Sequence, residues 1–324
     1  MRVAIMGCGP GGSYLYRLLR ERRPEVVADL FDEPWHGNRC GIKSCAWVVS
    51  FREFSALCSH AGIYPGQYIT GRSAQVIVNN IRINADIALI DKPALIAHLM
   101  GGNKAGGAGE LNVGLYDRII DATGRRAYLP APATLPIVDT AQVRCAIKDY
   151  TVPTAFINKD GYSWLLPLGD GTAHVGALST RSTDAAKREM EKLIVNAESV
   201  ECTCYGRIRM GGVITPFVSG NVWGLGESIG VVDPLTGMGI TPAMDSARIM
   251  VEHWHDPAGY EREVLAKYAY TARASAVGRS LAIRKKLRIL DALYLRRKAS
   301  KITGIYPDVI SIIRLLLTTR KNRF

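Results

Sequence analysis

The chain has 324 residues, 48% of them hydrophobic and 22% charged. That is ordinary for a globular protein and long enough for one large domain or two intimate ones, which excludes a disordered or low-complexity chain. The net charge of +12 is uneven: residues 279–324 carry thirteen Lys or Arg against two acids, Asp291 and Asp308, and the rest is nearly neutral.

The seven cysteines are odd in number, and no leader precedes the first apolar run. A disulfide framework is therefore not expected, and a cytoplasmic location is. No stretch of about 18 uncharged apolar residues is present to span a bilayer.

Arg2–Met6 reads as a short buried strand, and Gly7-Cys-Gly9-Pro10-Gly11-Gly12 follows at once. Residues 13–23 then have helical character. Gly7 permits a tight turn, Gly9 lets backbone approach a pyrophosphate, and Gly12 lets the helix pack on the strand. The helix N-terminus, which includes Pro10 and Gly11, offers unpaired N–H groups and a positive dipole end. A second strand ends at Asp32, 20 residues beyond Gly12, where an acid bonds a ribose 2′-hydroxyl. This is a dinucleotide fingerprint with its structural context, and the acid argues against a 2′-phosphate.

Residues 73–91 alternate apolar and polar side chains around Asn79-Asn80, a hairpin signature. Residues 141–150 and 154–179 continue the alternation, with glycine turns at Gly161, Gly169 and Gly171. Tyr162 and Trp164 lie two apart on one of these strands and share a face, either as a pocket wall or as plain core. Residues 182–196 predict a helix capped at Ser182 or Thr183.

Two further segments select FAD among the dinucleotides. In 116–124 an apolar strand runs into Asp121-Ala-Thr-Gly124. In 221–250 a strand ends at Gly224-Leu-Gly226-Glu227, then a loop with Asp233, Pro234, Gly237 and Gly239 leads to a helix from about Ile240. Such a loop brings N–H groups and a helix dipole to the pyrimidine edge of a flavin, where they favour the reduced anion.

In order along most of its length the chain resembles the geranylgeranyl reductases of archaeal and photosynthetic lipid metabolism. These are FAD proteins with the aromatic-hydroxylase fold of the glutathione-reductase-like superfamily. The matching pieces are Gly7–Gly12, Asp32, Arg39-Cys40-Gly41, Asp91-Lys92-x-x-Leu95 and Asp121–Gly124. They continue with Gly161-Tyr162-Ser-Trp164-Leu-Leu-Pro167, Val175-Gly176, Gly226-Glu227 and 233–240. The resemblance implies an α/β fold: a Rossmann-like FAD-binding domain from 1–60, 86–126 and 218–260, and an interleaved antiparallel-sheet substrate domain from 61–85 and 127–217. A basic helical region follows at 261–324.

It also implies that Cys40 and Gly41 lie at the catalytic face of the flavin, with Arg39 beside the cofactor. Tyr162, Trp164 and Pro167 would line an isoprenoid pocket. The implied activity is saturation of geranylgeranyl C=C bonds by hydride from flavin N5. The implied partners are an isoprenoid lipid and an electron donor, either NAD(P)H or a ferredoxin-like protein. Glu227 replaces the family's Asp, Leu166 its Phe and Lys92 its Arg. The span from Asp91 to Asp121 is too short for the family's β-meander.

Two rival readings remain on the residues: a flavin monooxygenase of the same fold, and a trimmed module that binds FAD or lipid without catalysis. The cysteine spacings make no metal site and none is expected. The tail mixes Leu and Ile with Lys and Arg at helical spacing and breaks near Gly304–Pro307. It reads either as a peripheral membrane contact through 279–324 or as a helical layer with a solvated basic face. Aromatics for base stacking are few there, so nucleic acid is not an expected partner.

Overall fold

A computed structural model of the chain describes residues 1–33, 45–132, 137–147, 150–195, 197–284 and 289–321. Val3, Ala4 and Ile5 are wholly buried, as an apolar run must be when helices or loops cover both faces of a strand. Arg2–Met6 lies at the centre of a six-stranded sheet between Val27–Asp32 and Arg118–Asp121, parallel to both. Val222–Gly224 extends the sheet in parallel beyond Arg118–Asp121, and Val218–Ser219 closes that edge antiparallel. Gly106–Gly107 closes the other edge. The register sets Met6 beside Asp121, and Asp121 beside Gly224. The loops that leave Met6, Asp121 and Gly224 therefore emerge at one carboxyl edge, the place where open α/β sheets hold ligands.

The fingerprint helix, Pro10–Arg22, packs against this sheet as its glycines require. A Cβ on Gly12 would sit 2.0 Å from the Gly7 carbonyl oxygen. Across the sheet, the Arg118 guanidinium lies 4.0 Å from the Trp223 ring and 4.2 Å from the Trp254 ring, and it donates to the Trp254 carbonyl. The short span after Asp91 holds the helix Lys92–Met100, the two-residue strand and two single 3₁₀ turns. It contains no meander.

The second sheet has nine strands, antiparallel except where Ile69–Val78 runs parallel to Thr154–Ile157. Its hairpin turns at Asn79 (φ 48°) and Asn80 (φ 64°), the left-handed pair that a two-residue turn needs. Ile81–Ile90 is continuous across the expected boundary at 85/86, and Val48–Ser50 pairs with it, so both segments belong to this sheet. The helix Thr183–Glu191, capped by the Ser182 side chain, covers one face through Ala186 and Met190 against Val143, Leu165 and Val175. The opposite face carries Trp164, Leu166 and Leu178. Alternate residues of one strand therefore serve helix packing and an inner chamber.

After Pro257–Tyr268 and Tyr270–Arg284 come the tail helices Ile289–Thr303 and Val309–Lys321, separated at Gly304 (φ 71°). Between them, Ile305–Tyr306 pairs with Ala85 and Asn84 and so stitches the tail onto the sheet. Among the described residues no helix is long and apolar enough to cross a membrane.

Gly12→Ala should push the fingerprint helix off its strand and cost about 1–3 kcal/mol, the usual range for overpacking. Urea unfolding should show a lower midpoint at unchanged slope; an unshifted midpoint would mean that the turn relaxes freely.

Candidate functional site

The carboxyl edge of the parallel sheet and the inner face of the large sheet enclose one continuous cleft of about 1880 Å³. That exceeds the roughly 300–1,000 Å³ of an ordinary small-molecule pocket, so the cleft has room for a dinucleotide and a second long ligand. One end is built from backbone, the other from apolar side chains.

Two helices begin at the backbone end. Pro10–Arg22 is capped by Gly9 and Ile240–Glu252 by Gly239. Neither has a side-chain cap or an acid in its first turn. Their orphan N–H groups and positive dipole ends therefore remain available to a ligand. Gly9, Pro10 and Gly11 line the cleft together with Gly237, Gly239 and Ile240. Nothing lies within 4 Å of where a Gly9 Cβ would be, so the space over this turn is open to a close-lying group.

Asp32 also lines the cleft. Its carboxylate accepts from Cys8 N–H at 3.2 Å and from Glu33 N–H at 2.9 Å, which aims it across the fingerprint turn. Glu33 in turn pairs with Arg125 on the facing loop. Gly226, Glu227 and the Ala122–Gly124 turn complete this end. A pyrophosphate and an adenosine ribose match this donor set, and the residues fit a dinucleotide.

Glu227 is half-buried. One oxygen accepts from Arg209 N–H at 2.8 Å, while the Arg209 guanidinium donates to the Gly124 carbonyl. Burial pushes the Glu227 carboxyl up to about 7, against the opposing pull of Arg209.

Two of the expected ligand acids support the loops instead. Asp121 is fully buried and does not line the cleft. It accepts from Thr123 N–H, the Thr123 and Ser228 hydroxyls, and Tyr128 and Leu129 N–H. Asp233, also buried, accepts from Leu235 and Thr236 N–H, the Thr236 hydroxyl and the Tyr270 hydroxyl. Burial raises its pKa and those donors oppose the rise. Gly12 packs the helix rather than touching the cleft.

At the apolar end Tyr162 and Trp164 both face the cleft, ring centroids 5.7 Å apart. The Tyr162 hydroxyl donates to the Thr236 carbonyl and so ties this wall to the Gly237 turn. The Trp164 indole lies against Gly176, where a Cβ would be 2.4 Å from the ring; any larger residue would displace it. Pro167 is not on this wall. Strand parity turns residues 162, 164 and 166 inward, so Leu166 takes the place expected for Pro167.

Side chains that sequence reasoning missed steady the opposite wall. The Trp164 indole N–H donates to Gln142 Oε1 at 3.3 Å, and Gln142 Nε2 donates to the Cys45 carbonyl at 3.1 Å. His174, wholly buried, holds the next carbonyl, Ala46, at 3.4 Å and packs edge-on to Trp47 at 4.6 Å. Burial lowers the His174 pKa to about 4, so the ring is neutral and its Nδ1–H is the donor to that carbonyl. Trp47 sits at φ 62°, a conformation that a bulky residue adopts only when its surroundings force it. Arg39, Cys40 and Gly41, which precede this pinned segment, lie outside the described residues.

Buried Arg126 is a further omission. Its guanidinium donates to the carbonyls of Pro130, Ile214, Pro216 and Ser228 and so ties the Gly124 loop to the Glu227 loop. No local sequence signal flags these residues: Gln142 falls on the polar phase of the alternation in 141–150 and is buried only in the fold.

No protein-family model matches the chain. A digeranylgeranylglycerophospholipid reductase of Methanosphaerula palustris is 31% identical over 136 residues, 39% of this chain and 34% of that relative. The match thus spans about a third of the relative's length. In structure, a geranylgeranyl bacteriochlorophyll reductase-like protein from Thermoplasma acidophilum superposes with a TM-score of 0.71 at 18% identity, over 99% of this chain and 96% of that one. The resemblance to the geranylgeranyl reductases holds in sequence and in fold. A probable FAD-dependent monooxygenase from Pseudomonas aeruginosa shares the fold at a TM-score of 0.61 and 15% identity, covering 87% of this chain and 95% of that one. The fold is thus shared with a reductase-like protein and a probable FAD-dependent monooxygenase, and the residues at the backbone end of the cleft fit a dinucleotide.

The raised Glu227 pKa has a definite sign. The folded chain holds a proton that the unfolded chain has released, so this contribution to stability is full below the ordinary carboxylate pKa and is lost as pH rises through about 7. Asp233 acts in the same sense. His174 acts in the opposite one, costing stability as pH falls from its ordinary value toward 4. In flavin-free protein, Glu227→Gln should therefore flatten the fall in Tm between pH 5 and 8 relative to wild type. Parallel curves would mean that Glu227 is ionised throughout.

Proposed function

We propose that the chain binds FAD at the backbone end of the cleft and, once reduced, saturates carbon–carbon double bonds of an isoprenoid chain held in the apolar end. The observation that carries this reading is the continuity of the cleft: the dinucleotide cradle opens directly onto a chamber walled by Val76, Ile83, Ile87, Trp164, Leu166 and Leu178. A bound reduced flavin would supply the hydride to one carbon of the double bond, and solvent the proton that the other carbon takes up.

The chain's own residues do the rest. Gly7, Gly9, Pro10, Gly11 and Asp32 hold the adenosine and pyrophosphate, and the Ala122–Gly124 turn with Gly226 and Glu227 closes over them. The Gly239-capped helix sets its positive end where negative charge would develop. Burial raises the pKa of the Tyr162 hydroxyl, which therefore keeps its proton and fixes the Gly237 turn instead of titrating. The chamber walls exclude water and hold the chain by burial, worth about 0.8 kcal/mol per CH₂. Such binding is weakly specific, so chamber shape sets chain length. Electrons come from NAD(P)H or a ferredoxin-like protein, since the sequence has one dinucleotide fingerprint. The fold shared with a probable monooxygenase motivates the second reading, hydroxylation with oxygen.

The purified protein should show oxidised-flavin absorbance, bleach with dithionite under anaerobic conditions and regain colour on addition of a geranylgeranyl lipid. Trp164→Ala should weaken lipid binding by about 1.5–3 kcal/mol, seen as a raised KM at retained FAD content. Flavin that ignores the lipid but consumes oxygen quickly would favour the monooxygenase. A colourless protein that cannot be reconstituted would remove the flavin assignment.

A further inference from the structure

The two tail helices carry apolar and cationic side chains on the same outward faces. On Ile289–Thr303, Leu290 is 73% exposed and Leu293 is also exposed, next to Arg296, Arg297 and Lys301. On Val309–Lys321, Ile310 is 62% exposed, with Val309 and Ile313 beside it and Arg314 on the following turn. Both acids of the tail are engaged: Asp291 pairs with Arg273 at 2.6 Å, and Asp308 accepts from Ser311 N–H at 2.6 Å as the cap of the last helix. With Asp291 paired, Asp308 is outnumbered by exposed Arg296, Arg297, Lys298, Lys301 and Arg314, and the outward charge is positive. Exposed branched residues interleaved with cations suit an interfacial helix on an anionic bilayer, where the apolar chains enter the acyl boundary and the cations meet the headgroups.

The inward face of the last helix adds an independent observation. Ile312 and Leu315 line the cleft, and the strand at Ile305–Tyr306 holds the helix over the chamber formed by Val76, Ile83 and Ile87. One helix thus separates the chamber from the exposed apolar face. A second cavity of about 200 Å³, lined by Leu295, Ala299, Ile305 and Ile312, lies between the two tail helices.

We propose that these two helices dock on an anionic bilayer and that the isoprenoid chain passes from the bilayer into the chamber beside the last helix, without crossing water. The entry step rests on the isoprenoid reading of the site.

The test is sedimentation of the full chain with phosphatidylcholine vesicles, with and without phosphatidylglycerol. Wild type should pellet with the anionic vesicles, release as salt rises, and remain in solution with phosphatidylcholine alone. The double variant Ile310→Asp/Ile313→Asp and the triple variant Arg296→Glu/Arg297→Glu/Lys301→Glu should each bind at least about tenfold more weakly. All five side chains face water, so flavin content and circular dichroism should not change.

Wild type left in solution with anionic vesicles, or variants that pellet as wild type does, overturns docking. Reduced flavin is then challenged with a short water-soluble prenyl alcohol and with vesicle-borne lipid. Reoxidation by the alcohol from a protein that ignores vesicles overturns docking and leaves the site's reading intact. Vesicle binding without reoxidation by either substrate overturns the site's reading and chain entry with it. Variants that reduce the alcohol normally but lose the vesicle-borne lipid support the whole proposal.

Discussion

The rest of the structure depends on the close approach of two helix N-termini. Pro10–Arg22 and Ile240–Glu252 pack against each other at their first turns, where a Cβ on Gly11 would be 3.2 Å from the Ala243 Cβ and one on Gly226 2.9 Å from it. Only small residues permit this. The arrangement points two uncapped positive helix ends into one cleft, which is electrostatically unfavourable without a ligand and favourable with an electron-rich one. Each end leaves its N–H groups without an internal partner, so the cost of assembling the cleft is recovered when a ligand accepts from them. Ligand binding and local order are therefore coupled by the geometry of the two helices.

Around that junction the buried charges are used for construction. Asp121 and Asp233 sit where ligand acids were expected, but each is surrounded by donors from its own loop. A buried carboxylate with its lone pairs filled is tolerated and rigid; one left open to a phosphate would be neither. Arg126 does the same with the opposite sign, gathering four carbonyls from three segments. Glu227 differs in that one oxygen is held by Arg209 N–H while the residue borders the cleft, and burial raises its pKa against the pull of that contact. The rigid groups position the cleft, and the incompletely satisfied one lies against the ligand space.

Much of this was legible from sequence where the signal is local. The fingerprint glycines, the Asn79-Asn80 turn, the Ser182 cap and the break at Gly304 each depend on a few adjacent residues, and each is in the structure. Period-two alternation correctly put Tyr162 and Trp164 on one face. The same rule, applied to Pro167, would have excluded it, because five residues from Tyr162 is an odd step. Gln142, His174 and Trp47 were invisible for another reason. Their roles come from the register of strands far apart in sequence, which places two side chains under the carbonyls of Cys45 and Ala46. The domain boundary failed in the same way: pattern alone could not show that Val48–Ser50 and the whole of Ile81–Ile90 join the large sheet.

The pinned wall bears on how the two ends of the cleft work together. Trp164 contacts the chamber with its ring and, through Gln142, the backbone that follows the cysteine–glycine segment with its N–H. A ligand that moves the indole therefore strains the Gln142 link, and His174, bonded to the Ala46 carbonyl and packed edge-on to Trp47, ties the same segment to the strand behind it. Trp47, held at a positive φ between them, has little freedom to absorb the shift. Tyr162 transmits in the other direction, from the same strand to the Gly237 turn that begins the second helix. The strand Gly161–Pro167 thus links both walls of the cleft, so the fit of a ligand against its inner face bears on the backbone at Cys45 and on the Gly237 turn alike.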